Sequence, residues 1–207
     1  MLKRVEIEAK TLVEAEKKAV TELRIPLNKI KFNVLKEKKG ILGIGASTTY
    51  EATPNIDIAL EGKNYLESII KELGISVQME MRTIDEGKEI YYHIFADENA
   101  LLIGRNGKTL KSLQFILRNY LNLFTDDYTI VNLDVGNYNE NRQKQLEILA
   151  TKTAKDVARS RIEVKLDPMN AYERRIIHSK LSEWRDVVTE SVGEGEERAI
   201  VIKPSRK

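Results

Sequence analysis

The stretch that decides the fold of this chain is a short glycine-rich loop. Residues 103–110 read Ile103-Gly104-Arg105-Asn106-Gly107-Lys108-Thr109-Leu110. Two glycines three positions apart, with cationic side chains beside them, are typical of a loop where a phosphate approaches the backbone. Two interpretations follow from the loop. The phosphate belongs either to a nucleotide, which predicts an enzyme, or to a nucleic-acid strand, which predicts a binding protein.

The nucleotide interpretation fails at one position. A P-loop requires the spacing Gly-x-x-x-x-Gly-Lys-[Ser/Thr], and Gly107-Lys108-Thr109 supplies only its second half. The first glycine should stand where this chain has Leu102. A leucine there obstructs the tight turn whose successive amides enclose phosphates. Asp134, on a predicted strand, has the position of the magnesium-binding aspartate of P-loop enzymes, but the phosphate loop that it would accompany is incomplete. We therefore predict no catalytic residues and no enzyme.

The surroundings of the loop predict a small domain over residues 62–136. Apolar residues at helical spacing alternate along the chain with segments in which every second residue is apolar, the pattern of half-buried strands. The predicted order is helix, strand, strand, helix, helix, strand, at 65–73, 77–82, 90–94, 98–103, 110–124 and 128–135. The loop lies between the two paired helices. Its glycines let a nucleic-acid backbone approach without interference from a Cβ atom.

The loop lies in a positively charged part of a nearly neutral chain. Lys and Arg number 34 against 32 Asp and Glu, a net charge of +2, so a local patch must hold any anionic partner. Residues 99–125 contain no acidic residue, and the helix after the loop directs its first N–H groups toward a bound phosphate. The alternative to a nucleic-acid contact is an ordinary turn between two helices, with solvated lysines. The candidate RNA-binding residues here are Gly104, Arg105, Asn106, Gly107, Lys108 and Lys111.

Two further units flank this domain, and the predicted fold class is α+β with three small domains. Residues 1–52 read strand, helix, strand, strand, with Thr11 placed to cap the helix. Residues 53–61, around Pro54-Asn55, are a predicted linker. The third unit, 137–207, is a predicted α/β domain with helices at 138–160 and 171–184 and strands at 162–166 and 199–202.

The last predicted helix carries a second candidate site. Arg174 and His178 are four residues apart, so they project from one face of the helix. Asn170 and Glu173 have the spacing of a capping box. Arg174 and its neighbour Arg175 therefore lie in the first turn, where a bound phosphate would relieve the repulsion between their charges and the helix dipole. The alternative is a structural role for the Arg–His pair. Neither catalysis by His178 nor a metal site is supported by the spacing of other residues.

Composition narrows the class of protein further. The chain has no cysteine, which excludes disulfides, thiolate catalysis and zinc fingers and fits a reducing compartment. Its first residues turn acidic where a signal peptide needs an apolar run. No segment approaches the roughly 20 apolar residues that cross a bilayer. We expect a soluble cytoplasmic protein without membrane insertion.

Together these motifs resemble a known family. The helix and strand order around Gly104–Gly107 resembles the prokaryotic (type II) K-homology (KH) domain. Residues 166–178, with Arg174 and His178, resemble the signature of the R-three-H domain, which binds single-stranded nucleic acid. With the glycine-rich residues 39–45 added, essentially the whole chain resembles the bacterial Jag family.

The resemblance implies Jag-N, KH and R-three-H domains, no cofactor, and binding of single-stranded RNA. It also implies a link to cell elongation, division or sporulation and a small single-KH protein as partner, and it leaves a homodimer open. A rival hypothesis is a protein-interaction adaptor that acts through the N-terminal domain. In that case Ile41-Leu42-Gly43-Ile44 is an exposed contact, whereas a role in the domain's own small core is the alternative.

Overall fold

The N-terminal part of the chain forms a three-stranded antiparallel sheet with one helix. The computed structural model describes residues 1–39 and 46–205, so the predicted Ile41–Ile44 contact lies outside the described residues. The strands pair in the order β1-β3-β2. The elements are β1 (Val5–Ala9), α1 (Leu12–Leu23), β2 (Ile30–Lys38) and β3 (Ser47–Pro54).

Local sequence signals account for the first two elements. In β1 the buried side chains of Ile7 and Ala9 alternate with exposed glutamates, as the period of a strand requires. The Thr11 side chain accepts a hydrogen bond from the Glu14 amide at 3.2 Å and caps α1. The predicted strand, cap and helix are therefore confirmed. Strand β2 extends beyond the predicted alternation, because its backbone pairing with β3 continues to Lys38, where the side chains of β2 are exposed.

The middle part of the chain has the predicted order of helices and strands. It comprises α2 (Ile58–Glu72), β4 (Val77–Ile84), β5 (Glu89–Ala96), α3 (Asn99–Ile103), α4 (Lys108–Leu121) and β6 (Ile130–Val135). The sheet order is β4-β5-β6, with β4 antiparallel and β6 parallel to the central strand β5. Helices α2 and α4 pack against this sheet and against each other. Between α2 and β5 the Tyr92 hydroxyl donates to the Ala59 carbonyl at 2.9 Å, and a Cβ on Gly62 would lie 2.2 Å from that hydroxyl.

Two predictions differ from the structure. They are the helix that was to extend to Phe124 and the linker at 53–61. Helix α4 ends at Leu121, and β3 and α2 occupy most of the linker, which shortens to residues 55–57. The Asp57 side chain accepts hydrogen bonds from the Ala59 and Leu60 amides and starts α2 earlier than its apolar pattern indicated. Pro54 ended the predicted strand, yet it is the last residue of β3.

Phe124 joins the middle part of the chain to the N-terminal sheet. Its side chain is 1% exposed and belongs to the hydrophobic core formed by residues of β1, α1 and β3. Its carbonyl accepts a hydrogen bond from the Lys3 amide at 3.0 Å. Its ring also meets the Tyr120 ring edge-on at 5.2 Å between centroids. Residues 1–136 therefore form one compact unit.

A half-buried polar cluster lies beside Phe124. The Lys29 ammonium donates to the Glu61 carboxylate and, at 3.1 Å, to the Tyr120 hydroxyl, which itself donates to Glu61. Burial by itself raises the pKa of Glu61, but the hydrogen bonds from Lys29 and Tyr120 outweigh it and hold that pKa below its ordinary value. Tyr120 also stacks on Tyr65 of α2 at 3.9 Å between ring centroids. The cluster thus ties the turn before β2 to α2 and α4.

The second compact unit, Asn137–Lys207, has a sheet of its own. It comprises α5 (Tyr138–Ser160), β7 (Val164–Lys165), α6 (Ala171–Leu181), β8 (Val187–Val192) and β9 (Ala199–Pro204), with the antiparallel strand order β7-β9-β8. Its core includes Leu146, Val157, Ile177 and Ile202. In neither described stretch, 1–39 or 46–205, does a helix have the length and apolar character needed to span a membrane.

Three predictions for this unit were inaccurate. Helix α6 ends at Leu181 and not near Trp184, and the first strand is shortened to two residues. Strand β8 was not predicted, since only Val187 of its six residues is buried. Pairing with β9 holds this strand in place. The prediction for α5 is confirmed.

We expect Phe124→Ala to lower the free energy of unfolding of residues 1–136 by about 3–5 kcal/mol, because it removes a fully buried ring and leaves a cavity. The neighbouring Leu123 is 41% exposed, so Leu123→Ala serves as the control and should cost no more than about 0.5 kcal/mol. Urea unfolding followed by circular dichroism measures both. Equal effects of the two substitutions would contradict the role of Phe124 as a shared core residue.

Candidate nucleic-acid interface

The backbone of the Gly104–Gly107 loop adopts conformations that favour glycine. Gly104 has φ 69° and ψ −178°, a region open essentially to glycine alone. A Cβ there would lie 2.1 Å from the Thr109 hydroxyl oxygen. Asn106 and Gly107 are both left-handed, with φ of 53° and 73°. Asparagine tolerates this region better than most residues, which explains its place inside the loop.

Hydrogen bonds close the loop against the short helix before it. The Gly104 amide donates to the Ala100 carbonyl at 2.9 Å, and the Gly107 amide donates to the Gly104 carbonyl at 3.3 Å. Leu102, where a P-loop needs glycine, is completely buried. The position is therefore part of the hydrophobic core and does not face a ligand.

The predicted loop residues surround the start of α4. Gly107 is the N-cap of this helix, and in the described part of the chain no side chain caps it. The Lys108 amide donates to the Arg105 carbonyl, so the loop itself satisfies the first amide of α4. The positive end of the helix still favours a bound anion. Arg105, Asn106, Lys108 and Lys111 are all exposed around this terminus. The structure thus brings the six predicted residues together at one place.

The second candidate site is more strongly tied to its own fold. The Arg174 guanidinium is half-buried and donates to the Met169 carbonyl at 3.0 Å. His178 is exposed, and its Nδ1 is hydrogen-bonded to the Thr189 hydroxyl of β8. Arg175 is exposed. Arg174 and His178 do project from one side of α6, but both already have partners within the domain.

The predicted capping box at the start of α6 is confirmed. The Asn170 side chain accepts from the Glu173 amide at 3.2 Å, and the Glu173 carboxylate accepts from the Asn170 amide at 3.1 Å. Glu173 is buried and also accepts from Arg142 Nε of α5 at 2.8 Å. The Arg142 and Thr189 contacts were missed because no spacing in the sequence links α6 to either residue.

The described residues contain no group of three or more His, Cys, Asp or Glu side chains that could hold a metal ion. His93 stacks on Phe95 at 4.3 Å between ring centroids, and its Nε2 is buried without a hydrogen-bond partner. This environment agrees with a packing role for His93.

Comparisons with known proteins identify the domains at the two ends of the chain. Residues 7–49 match the family model described as Jag N-terminus, and residues 144–204 match that of the R-three-H domain. An RNA-binding protein KhpB from Clostridium symbiosum is 35% identical over 205 residues, which cover 98% of this chain and 92% of the relative. The chain belongs to the Jag family.

Other relatives extend this assignment. The RNA-binding protein KhpB of Bacillus subtilis (strain 168) is 33% identical over 198 residues, covering 93% of this chain and 94% of the relative. That of Lactiplantibacillus plantarum is 35% identical over 140 residues, covering 67% of this chain and 42% of the relative. In this Jag-family chain the two matched domain models lie on either side of the Gly104–Gly107 loop. Neither model covers the loop, so its proposed role rests on its geometry.

We expect Gly104→Ala to destabilise the protein more than Gly74→Ala. Both glycines have a positive φ, but a Cβ on Gly74 would meet nothing within 4 Å, whereas one on Gly104 would collide with Thr109. Gly74→Ala should cost about 1–2 kcal/mol. Gly104→Ala should cost more, because its φ and ψ are open essentially to glycine alone and Thr109 would have to move. Urea unfolding compares the two variants. Equal losses would show that the loop relaxes without a constraint at Gly104.

Proposed function

We propose that this Jag-family protein is a non-enzymatic regulatory protein that binds single-stranded RNA through the Gly104–Gly107 loop. The observation that carries the proposal is the tight Gly104–Gly107 turn, which presents the exposed side chains of Arg105, Asn106 and Lys108 at the start of α4, a helix terminus that no described side chain caps. The relatives are named for RNA binding, which supports the same class of ligand.

The segment around the loop acts as a KH domain in this proposal. The order α2-β4-β5-α3-α4-β6 and its mixed sheet support this assignment. The sugar-phosphate backbone would lie along the Gly104–Gly107 loop, with one phosphate near the positive end of α4. Arg105 and Lys108 would contribute charge, and Asn106 a hydrogen-bonding amide.

A single strand is favoured over a duplex for a geometric reason. The major groove of an A-form helix is too deep and narrow for side chains to read its bases. A loop of this kind instead seats one backbone beside bases that are splayed out of a stack.

The R-three-H domain supplies the second RNA contact, through Arg174, Arg175 and His178. The half-buried Arg174 is held by Met169 and His178 by Thr189, so both side chains are positioned before a ligand arrives. Exposed Arg175 adds charge at the same helix end. Since both contacts belong to one chain, an RNA long enough to reach both would bind more tightly than either contact alone allows.

The physiological setting is part of the proposal. The family resemblance suggests a role in cell elongation, division or sporulation, and a small single-KH protein or a second copy of the chain as partner.

The described residues offer no specific support for an adaptor role of the N-terminal domain, because Ile41–Ile44 lies outside them. For the P-loop alternative we expect no magnesium-dependent nucleotide hydrolysis by the purified protein.

The loop is tested by the double variant Gly104→Asp, Gly107→Asp. Two carboxylates would repel the phosphate and block its approach, so we expect at least about a tenfold loss of affinity for a labelled single-stranded RNA, a change of about 1.4 kcal/mol. Fluorescence anisotropy measures binding, and circular dichroism checks the fold. A folded double variant that binds RNA as tightly as the wild type would refute the loop assignment.

The R-three-H contact is tested by Arg174→Ala. If the guanidinium contacts a phosphate, affinity should fall and the slope of log K against log salt should become shallower by about 0.7, the value for one contact to a single strand. Arg159→Ala is the control, because Arg159 is 84% exposed and pairs with Asp156 within its own helix. An unchanged slope for Arg174→Ala would assign Arg174 a purely structural role.

A further inference from the structure

Helix α4 exposes an aromatic side chain on its outer face. Phe115 is 55% exposed, whereas phenylalanine side chains are usually buried in a protein core. The core side is already filled by Leu110, Leu113, Leu117 and Leu121, all of which are buried. Phe115 therefore contributes little to the packing of α4, and its exposure needs another explanation.

Cationic side chains share the outer face with Phe115. Lys108, Lys111, Phe115 and Arg118 are separated by three, four and three residues, a spacing that aligns them along one side of a helix. The Arg118 guanidinium lies 5.2 Å from the centre of the Phe115 ring. This outer face, Lys108–Arg118, begins at the loop and extends from it along α4.

We propose that Phe115 is a stacking platform for an unpaired base, and that Arg118 binds the phosphate beside that base. The inference rests on the proposed RNA-binding function and extends it from the Gly104–Gly107 loop along α4. Phe115 lies eight residues beyond Gly107, about 12 Å along the helix axis. An RNA strand that leaves the loop along this face would therefore meet an aromatic ring and then a guanidinium.

The chemistry of the face favours RNA over a protein partner. Aromatic rings interleaved with Lys and Arg are the combination that single-stranded nucleic acids require, since rings stack on bases and cations pair with phosphates. A protein interface would need a broader apolar centre with few charges. Along residues 99–125 the sequence carries four cationic residues and no acidic one, so this face complements an anionic strand.

The stacking contact is tested with the full chain and a fluorescein-labelled single-stranded RNA of mixed sequence, about 20 nucleotides long. We expect Phe115→Ala to weaken binding by about fivefold or more, the loss typical of one base–aromatic stack. Its salt slope should not change, because no charge is removed. Phe115→Trp should bind at least as tightly as the wild type. Arg118→Gln should make the slope shallower by about 0.7.

Leu73→Ala is the matched control, because Leu73 is also an apolar side chain with 60% exposure, at the end of α2. It should leave RNA affinity unchanged. A folded Phe115→Ala variant with wild-type affinity would overturn the platform, as would a Phe115→Trp variant as weak as Phe115→Ala. The proposed function would survive either result, provided that the wild type binds RNA and the Gly104→Asp, Gly107→Asp variant does not. No RNA binding by the wild type would refute both.

A spectroscopic readout separates stacking from general attraction to polyanions. The chain has one tryptophan, Trp184, so Phe115→Trp combined with Trp184→Phe places the only indole on α4. We expect RNA to quench its fluorescence and inorganic polyphosphate to leave it unchanged. Equal quenching by both polymers, or RNA binding without quenching, would show that no base stacks at this position.

Discussion

The burial of Phe124 in the N-terminal core is the interaction on which residues 1–136 depend. The residue lies three positions after the end of α4, yet its ring packs among side chains of β1, α1 and β3. The N-terminal core cannot open around Phe124 without exposing apolar surface to water. The polar cluster of Lys29, Glu61 and Tyr120 adds hydrogen bonds at the same junction. The N-terminal domain and the proposed KH domain are thus one unit of structure.

Helix α4 connects this junction to the candidate RNA interface. Its N-terminal end leaves the Gly104–Gly107 loop, and its C-terminal end is followed by Phe124. One rigid element therefore holds the loop, the Lys108–Arg118 face and the N-terminal core in a constant relation.

In the R-three-H domain the proposed binding residues Arg174 and His178 also have hydrogen-bond partners within the domain. The buried Glu173 joins the capping box to Arg142, and Arg174 and His178 are each held by one hydrogen bond. Breaking a buried ion pair typically costs about 3–5 kcal/mol, so substitutions at Glu173 would act on folding first. The proposed ligand contacts at Arg174, Arg175 and His178 depend on this internal network for their positions.

The sequence alone determined the elements whose signals are local. The cap at Thr11, the capping box at Asn170, the helix α5 and the loop at Gly104–Gly107 follow from periodicity, capping chemistry and glycine spacing, and the structure confirms these elements. Only the tertiary structure decided the role of Phe124, the pairing of β8 and the partners Met169 and Thr189. The role of Phe124, the Thr189 contact and the pairing of β8 depend on residues in separate elements of the fold, or on backbone pairing that leaves no alternation of apolar side chains. Met169 is only five residues from Arg174, but no sequence pattern indicates a hydrogen bond from the guanidinium to its carbonyl. The outer face of α4 lies between the two cases, since its spacing is visible in the sequence but the exposure of Phe115 is not.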